Sequence, residues 1–379
     1  MAKLGDIATY INGYAFKPQD WSDEGIPIIR IQDLTGNSYQ ANRYNGEYAS
    51  KYEVNDGDVL ISWSASLGVH IWHGEKAVLN QHIFKVVFDK ERISKDFFVH
   101  QVGLILENAA SDAHGATMKH LTKPVFDALP FYLPPYEKQC EIAEVLDKVT
   151  NLISLRKQQL AKLDELVKAR FVEMFGNPSN NSLGFPYEPL SNCLLSIENG
   201  KSFVCSNDMR QEENPAILKL SAVTYGVYQQ DENKAILDSS MFVKSAEVHK
   251  GDLLFTRKNT PELVGMCAYV NDTAPNLMMP DLIFRLNTNE KINKIFLWKL
   301  INHEFFRGKI QNIATGSAKS MSNISKERLE KLAIILPPLH LQNDFAAFVE
   351  RVDQQKQTVQ QSLEKLELMK KALMQEYFG

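Results

Sequence analysis

The chain has little excess of either charge and no long hydrophobic run. Its 379 residues carry 42 Lys plus Arg against 46 Asp plus Glu, a formal net charge of −4. Since the whole chain is not basic, any surface for nucleic acid has to be local. No stretch approaches the ~20 apolar residues that a membrane span needs. The opening residues, Met-Ala-Lys-Leu-Gly-Asp, also lack the apolar segment of a signal peptide, so we expect a cytoplasmic protein.

Cysteine is scarce, and its spacing argues against two further classes. The four cysteines stand far apart without a Cys-x-x-Cys pair: Cys140, Cys193, Cys205 and Cys267. This pattern fits scattered thiols in a reducing compartment rather than a disulfide framework or a zinc site. His70, His73 and His82 could gather a metal, but histidines at such spacing are more often ordinary surface or core residues. We therefore expect no metal site.

Catalytic motifs are missing as well. Leu133-Pro-Pro-Tyr136 superficially resembles the Asn/Asp-Pro-Pro-Tyr loop of amino-methyltransferases, but leucine stands where an amide or carboxylate would hold the target amino group. No glycine-rich strand–turn–helix for S-adenosylmethionine is visible. Gly200-Lys201-Ser202 resembles the end of a P-loop, yet Leu195 replaces its first glycine. We expect a non-catalytic chain without a cofactor of its own.

A long internal repeat is the strongest feature of the sequence. Leu133-Pro134-Pro135 recurs as Leu336-Pro337-Pro338, and the same offset of 203 brings Phe175-Gly176 onto Phe378-Gly379. The 44 residues 133–176 have 15 identical partners, where ordinary composition would give about three. Looser matches lie upstream, such as Asn12-Gly13-Tyr14 with Asn199-Gly200-Lys201. The pattern indicates a duplicated unit of one module and one helix.

Each repeat ends in a long amphipathic segment. Apolar residues recur at alternating four- and three-residue spacing, which is typical of a coiled coil. A proline pair precedes each segment, and Gly176 with Asn177-Pro178 provides a stop signal after the first. The predicted seam between the helices consists of Ile142, Leu146, Val149, Ile153, Leu160, Leu163, Val167, Val349, Val352, Val359, Leu363, Leu366 and Leu373.

The order of the segments dictates how two packed helices would run. The second module follows the end of the first helix and precedes the start of the second, so the helices should be antiparallel. We predict globular modules at 1–133 and 179–336, a central coiled-coil helix at 134–178 and a C-terminal coiled-coil helix at 337–379. Helices of ~37 residues would form a rod of roughly 55 Å, and the modules would be related by a pseudo-two-fold axis.

The modules themselves are predicted to be mainly β. Short apolar or alternating runs bounded by Gly, Asn, Asp and Pro indicate strands at 26–31, 59–62, 69–72, 82–88 and 128–133. Residues 94–108 and 293–312 have helical patterns. The predicted fold class is α+β, with two tandem mainly-β domains separated by two long helices packed as an antiparallel coiled coil.

Recognition is the function that remains once catalysis is set aside. Arg reads guanine edges, Asn and Gln read adenine, and Lys and Ser hold phosphates. Thr256-Arg257-Lys258-Asn259 is the best candidate, as a cationic turn after a predicted strand, whereas its counterpart Ser62-Trp63-Ser64-Ala65 is uncharged. The modules should therefore read different ligands. The candidate residues are Lys17, Arg30, Gln32, Arg43, Tyr44, Ser62, Trp63 and Lys119 in the first module, and Lys201, Lys219, Tyr225, Thr256, Arg257, Lys258, Asn259 and Lys319 in the second.

An ordered set of short segments resembles the specificity subunit of type I restriction–modification enzymes. The set consists of Leu-Gly-Asp-Ile-Ala at 4–8, Asn-Gly-Tyr-Ala-Phe-Lys at 12–17, Gly-Ile-Pro-Ile-Ile-Arg-Ile at 25–31, Gly-Asp-Val-Leu-Ile-Ser at 57–62 and the two Leu-Pro-Pro segments before long helices. The resemblance covers essentially the whole chain.

The resemblance implies two target-recognition domains, each reading one half of an asymmetric, interrupted double-stranded DNA site. It implies helices that set the spacer and dock two adenine-methyltransferase subunits, which carry S-adenosylmethionine. Motor-nuclease subunits, with ATP and Mg²⁺, would join for cleavage. Two alternatives stay open: a stand-alone or decoy DNA-binding module without an enzyme partner, and a fused methyltransferase or nuclease, which the missing motifs oppose.

Overall fold

The computed structural model describes residues 1–36, 42–112, 122–316 and 321–379. The chain forms two compact units. The first unit comprises Met1–Gln158 and Gln360–Gly379, and the second comprises Gln159–Val359. Each unit therefore contains one β-rich module and a segment from each of two long helices. The finer domain boundaries given by the sequence stay a prediction.

The module of the first unit alternates short strands with short helices. Its strands are β1 Ala2–Lys3, β2 Thr9–Asn12, β3 Ile26–Ile29, β4 Arg43–Tyr44, β5 Glu53–Val54, β6 Val59–Ser62, β7 Gly68–Ile71, β8 Ala77–Leu79, β9 Ile83–Val87 and β10 Pro130–Phe131. Its helices are α1 Leu4–Ile7, α2 Ile31–Leu34, α3 Lys95–Asp112 and α4 Lys123–Asp127, with 3₁₀ turns at Pro18–Asp20 and Ser50–Tyr52. The long helix α5 Tyr136–Phe175 follows.

The module of the second unit follows a similar order, with additional elements. Its strands are β11 Tyr187–Pro189, β12 Leu194–Asn199, β13 Ala216–Leu218, β14 Asn233–Ala235, β15 Leu253–Thr256, β16 Lys258–Asn259, β17 Cys267–Tyr269, β18 Leu277–Met278, β19 Ile283–Thr288, β20 Ser322–Asn323 and β21 Ala333–Ile335. Its helices are α6 Ser221–Thr224, α7 Lys294–Asn302, α8 Glu304–Asn312 and α9 Lys326–Glu330, with 3₁₀ turns at Leu190–Cys193, Ser239–Met241 and Lys244–Ala246. The additional elements are β16, β20 and α8. The long helix α10 Leu339–Phe378 ends the described chain.

The two modules share their sheet topology. The first has an antiparallel sheet of order β2-β9-β6-β7, and the second has β12-β19-β15-β17. A second sheet has β3 parallel to β8 in one module and β13 parallel to β18 in the other. The central strands β6 and β15 are buried along their whole length, as expected of apolar strands covered on both faces. The duplication predicted from sequence is therefore present in the fold.

Close backbone approaches recur at the same points. The amide of Gly13 donates to Ile83 O at 3.1 Å, and that of Gly200 donates to Ile283 O at 3.3 Å. A Cβ at Gly13 would lie 2.1 Å from Asn80 O, and one at Gly200 would lie 2.2 Å from Pro280 O. No larger residue fits at either position without moving the backbone, which explains the repeated Asn-Gly pair.

A buried glutamine ties each module to the start of a long helix. Gln139 accepts from the Ser94 amide at 2.9 Å and donates to Pro134 O at 2.9 Å. Gln342 accepts from the Asn293 amide at 2.9 Å and donates to Pro337 O at 2.7 Å. Both side chains thus satisfy buried backbone groups at the proline-marked helix entry.

In the first unit the two helix segments run antiparallel. Ile142 and Leu146 near the start of α5 belong to one apolar cluster with Tyr377 and Phe378 at the end of α10. Further along α5, Lys157 forms an ion pair of 2.9 Å with Glu367, which precedes that end of α10. Of the predicted seam in this unit, Ile142, Leu146, Val149 and Leu363 are buried, and Ile153, Leu366 and Leu373 are half-buried.

The second unit has the same antiparallel arrangement. Lys356 Nζ lies 2.6 Å from Asp164 Oδ1. Later residues of α5, including Phe171, share a cluster with earlier residues of α10, including Phe345. Of the predicted seam, Val167, Val349, Val352 and Val359 are buried, and Leu160 and Leu163 are half-buried. Lys356 interrupts the apolar pattern because it pairs across the helices.

Three of the predicted elements were wrong in extent. The strand predicted over 26–31 ends at Ile29, and α2 begins at Ile31. The helix predicted over 293–312 is broken into α7 and α8, because His303 is extended and accepts through its side chain from the Phe305 amide. The strand predicted over 128–133 shrinks to β10, since only Ala2 and Lys3 pair with it. Among the described residues, we find no helix long and apolar enough to cross a membrane.

Candidate nucleic-acid interface

The candidate residues with the most similar surroundings in both units lie at the ends of the central strands. Ser62 ends β6 opposite Ile83, and Thr256 ends β15 opposite Ile283. Both side chains are fully buried. Ser62 Oγ donates to Ser66 O at 2.6 Å, and Thr256 Oγ1 lies 3.2 Å from Met266 O. These hydroxyls stabilise the turns that follow the two strands. Because they are buried, they are not available to a ligand.

Trp63 follows β6 and is half-buried. Its indole stacks on Phe84, with ring centroids 5.7 Å apart and an interplanar angle of 24°. The indole Nε1 donates to Asn12 Oδ1 at 3.2 Å, and the His82 ring lies 5.4 Å away. Neighbours from β2 and β9 therefore fix the orientation of the indole ring.

Arg257 follows β15 at the equivalent point. Its guanidinium carbon lies 5.1 Å from the Phe284 ring centroid. Nη2 donates to Asn323 Oδ1 at 3.3 Å, whereas the buried Nε has no partner among the residues that the structure describes. The side chain therefore keeps unused hydrogen-bonding capacity.

The next two residues, Lys258 and Asn259, have different roles. Lys258 is half-buried and pairs through its backbone with Asn323 in the β16–β20 ladder. Asn259 is buried and donates to Thr224 Oγ1 at 3.0 Å, while its oxygen accepts from the Thr260 amide. Asn259 thus stabilises the fold of its own module, and the charged side chains of this turn are Arg257 and Lys258.

A second cluster in the first unit surrounds Arg30. Its guanidinium carbon lies 5.5 Å from the ring centroid of Trp21, which is 45% exposed. With its amide oxygen turned toward Arg30, Asn42 accepts from Nη2 at 2.6 Å and from Nη1 at 2.7 Å. An arginine held in one orientation beside an exposed indole is suited to a planar ligand.

The remaining described candidates of the first unit differ in their exposure and in their hydrogen-bond partners. Lys17 is exposed, and Gln32 is half-buried. Tyr44 donates its hydroxyl to Glu47 O at 3.0 Å, and Arg43 donates to Gly25 O and forms an ion pair of 2.8 Å with Glu75. Arg43 therefore has a structural role already, whereas the Lys17 side chain is exposed.

In the second unit, Lys201 is exposed and Lys219 lies 3.9 Å from Glu232. Tyr225 is 66% exposed and lines a cavity of about 530 Å³ together with Trp298 and Asp353. Because this cavity is bordered by the long-helix segments of the unit, Tyr225 is not grouped with Arg257. Lys119 and Lys319 lie outside the described residues.

The histidines considered for a metal are not brought together as a site. His73 lies 3.4 Å from Asp56, and His70 is buried enough that its pKa is lowered. Across the residues that the structure describes, we find no group of three or more His, Cys, Asp or Glu side chains that could hold a metal ion.

Several residues of these clusters were not among the sequence candidates. Asn12, Phe84 and Phe284 position the planar groups, and Asn323 reaches Arg257 from 66 residues away. Local sequence patterns cannot reveal such distant partners. Trp21 could have been found, since a tryptophan in a polar loop beside Lys17 is an unusual exposed aromatic.

Two duplicated α+β modules, each attached to segments of two long antiparallel helices, define the class of this protein as a tandem repeat of one module and one long helix. The family model "Type I restriction modification DNA specificity domain" matches residues 1–165 and 194–368. The chain belongs to this family and carries its domain twice.

Curated relatives agree with this assignment. The specificity subunit of the type I restriction enzyme MjaVIII from Methanocaldococcus jannaschii is 23% identical over 401 residues, covering 99% of this chain and 90% of the relative. The EcoBI specificity subunit from Escherichia coli is 25% identical over 265 residues, covering 69% of this chain and 55% of the relative. The chain thus matches little more than half of the EcoBI subunit's length.

Two solved structures share the fold. The crystal structure of the type I restriction–modification system S subunit from M. genitalium covers 100% of this chain and 95% of its own, with 12% identity and a TM-score of 0.61. A structure described as the structural basis of complex assembly and conformational transition of the type I R-M system covers 100% and 96%, with 15% identity and a TM-score of 0.55. At these identities the likeness concerns the fold alone.

Proposed function

We propose that the chain is the DNA-specificity subunit of a type I restriction–modification system, and that each module reads one half of an asymmetric, interrupted site. The observation that carries this proposal is the pair of turns after β6 and β15. Each turn starts after a buried hydroxyl residue that pairs with an isoleucine, Ser62 with Ile83 and Thr256 with Ile283, but the next residue is Trp63 in one and Arg257 in the other. Equivalent scaffolds with different recognition chemistry favour two different half-sites.

The long helices are proposed to set the spacer between the half-sites. Both α5 and α10 contribute a segment to each unit. In each unit the segments are fixed to one another by an apolar cluster and by an ion pair, Lys157–Glu367 or Asp164–Lys356. Helices fixed in this way can hold a defined distance, because an α-helix rises 1.5 Å per residue.

The partners follow from the proposed role. Two adenine-methyltransferase subunits would dock on the helices and bring S-adenosylmethionine, and motor-nuclease subunits would bring ATP and Mg²⁺ chemistry. This chain would supply binding and orientation only. Since the chain has a net charge of −4, its phosphate contacts would come from local groups of lysine and arginine.

The proposal is tested by co-expressing the chain with a type I modification subunit from the same genome and sequencing the methylated bases of the host genome. We expect methylated adenines in one asymmetric motif of two short blocks separated by unspecified bases. The purified chain with S-adenosylmethionine and DNA, but without partners, should transfer no methyl groups. Turnover by the chain alone would contradict the proposal and support a fused methyltransferase.

The alternative of a stand-alone or decoy DNA-binding module makes a different prediction for the same preparation. Such a chain would bind DNA specifically but would fail to co-purify with that modification subunit. Co-purification together with a bipartite methylation motif supports the specificity subunit. DNA binding without any such complex would support the stand-alone module.

A further inference from the structure

The residue immediately after the central strand has a planar side chain on a phenylalanine in both units. Asn12 is opposite Phe84 in the β2–β9 pair, and Asn199 is opposite Phe284 in the β12–β19 pair. The planar group therefore rests on the same point of the same sheet in each module. It is an indole in the first unit and a guanidinium in the second.

The two planar groups differ in their chemistry. The only polar hydrogen of the Trp63 side chain is donated to Asn12, so the remaining indole surface is carbon. Of the three nitrogens of the Arg257 guanidinium, Nη2 alone has an acceptor among the described residues. A guanidinium with free N–H groups can donate two parallel hydrogen bonds to O6 and N7 of guanine, whereas a carbon surface fits the methyl group of thymine.

The surroundings of Arg257 favour base reading over phosphate binding. Glu327 lies near enough to interact with Arg257, and its pKa is lowered by a hydrogen bond with Ser325 and, to a smaller extent, by the charges of Lys326 and Arg257. A nearby carboxylate weakens the general attraction of this arginine for phosphate. The Phe284 ring, 5.1 Å from the guanidinium carbon, and the hydrogen bond to Asn323 restrict the position of the guanidinium, which matters for a bidentate contact and not for a point charge.

We propose that Trp63 and Arg257 are the equivalent specificity-determining positions of the two modules: Arg257 selects guanine in its half-site, and Trp63 selects a base pair that presents carbon surface, such as the thymine methyl. Phe84 and Phe284 are positioning residues that hold the planar groups. This inference rests on the proposed function, and it names the residue through which each half-site differs.

The test uses the full chain in complex with its modification subunit. In Arg257→Gln, we expect one position of one half-site to lose its preference for guanine by about 5- to 150-fold, the range of a lost bidentate contact. The other half-site should be unchanged and serves as the internal control for folding. Arg257→Lys should lose the same preference, because lysine keeps the charge but not the planar fork.

The reciprocal change is Trp63→Arg. Since Phe84 provides the same support as Phe284, this variant should gain a preference for guanine at one position of the other half-site. Trp63→Phe, which keeps a flat carbon surface, should retain the original base. Arg328→Gln is a matched control, because Arg328 is exposed and its guanidinium donates to Ile313 O within its own module; both half-sites should be retained.

Methylated-motif sequencing and competition binding between matched and single-base-altered duplexes distinguish the outcomes. Loss in Arg257→Gln that is uniform over all sequences would make Arg257 a phosphate contact and overturn the inference. Unchanged half-sites in both Arg257 variants would place this position off the interface and overturn it too. If the wild-type complex shows no bipartite motif at all, the proposed function itself fails, which is a separate result.

Discussion

The two units are alike in the side chains that hydrogen-bond their backbones, and they differ in the side chains that follow the central strands. Gln139 and Gln342 make the same pair of backbone hydrogen bonds at the two helix entries. By contrast, Trp63 and Arg257 share a position but not a chemistry. A duplicated fold can therefore keep its internal hydrogen bonds and still have different side chains at equivalent positions.

The helix-contacting cores show a second difference. In the second unit, Phe171 is buried and its ring lies parallel to that of Phe296, with centroids 5.8 Å apart, and at 5.4 Å from that of Phe345. The repeat places Met374 at the matching position of the first unit, where it is half-buried. The second unit thus depends more on aromatic packing.

The largest expected effect tests this asymmetry. Phe171→Ala should lower the free energy of unfolding by about 3–5 kcal/mol, because a buried ring is replaced by a cavity. Met374→Ala should cost only about 1–2 kcal/mol, since the side chain is partly solvated already. Denaturant unfolding of both variants measures the difference, and equal losses would contradict the asymmetry.

The next largest effect tests whether the two helix entries are equivalent. Gln342→Ala leaves the Asn293 amide and Pro337 carbonyl without their partner, and should cost about 1–3 kcal/mol. Gln139→Ala removes the two matching contacts in the other unit, and Gln342 has one more, a 3.3 Å hydrogen bond to Lys291 O, so the two losses should agree within about 1 kcal/mol. Thermal unfolding of the two variants side by side checks this, and a clear inequality would show that the two helix entries are not equivalent.

The smallest effect concerns a lysine that the first unit lacks. His100 of α3 pairs with Asp147 at 2.6 Å, whereas Lys299, at the matching place in α7, lies in the 530 Å³ cavity over the face of Trp298. Burial lowers the pKa of Lys299 to about 8, with Lys356 adding to this and Asp353 and Asp164 opposing it. Lys299 therefore loses its proton at a lower pH in the native state than in the unfolded state.

The sign of the pH dependence follows. Between pH 8 and the ordinary lysine range the unfolded chain binds the proton and the native chain does not, so Lys299 makes stability rise with pH. Below pH 8 that contribution is lost. Lys299→Met should remove roughly 1 kcal/mol of this rise and stabilise the protein at pH 7. Lys168→Met, on the exposed rim of the same cavity, is the control; an unchanged pH profile in Lys299→Met would contradict the assignment.

Sequence predicted the parts of the fold that depend on local patterns. The repeat, the helix entries after proline pairs and the Gly176 stop are encoded by residues close in the chain, and Gly176 does adopt a positive φ of 71°. The break at His303 was missed because an apolar pattern continued on both sides of it. Its cause is a hydrogen bond from the Phe305 amide to the histidine ring, which helical periodicity does not reveal.

The candidate site was less accessible to sequence reasoning. Residue types identified cationic and aromatic turns, but they could not separate Arg43, which is committed to Glu75, from Lys17, which is exposed. Nor could they show that Ser62, Thr256 and Asn259 point into the fold. Such distinctions depend on partners that lie tens of residues away along the chain.

The central claim is that the modules read bases while the helices measure the distance between them. Seven residues inserted after Leu160 and seven after Leu363, in register, keep the apolar seam and lengthen both helices by roughly 10 Å, or about three base pairs at 3.4 Å each. Added twist along the DNA could reduce this shift. Inserting in one helix only should mismatch the pair and damage folding.

Methylated-motif sequencing of cells that carry the doubly extended chain and its modification subunit is the most direct measurement. The account predicts the same bases in both half-sites and a spacer longer by up to about three base pairs. An active complex whose spacer is unchanged would contradict it, because the helices would then not determine the distance between the half-sites.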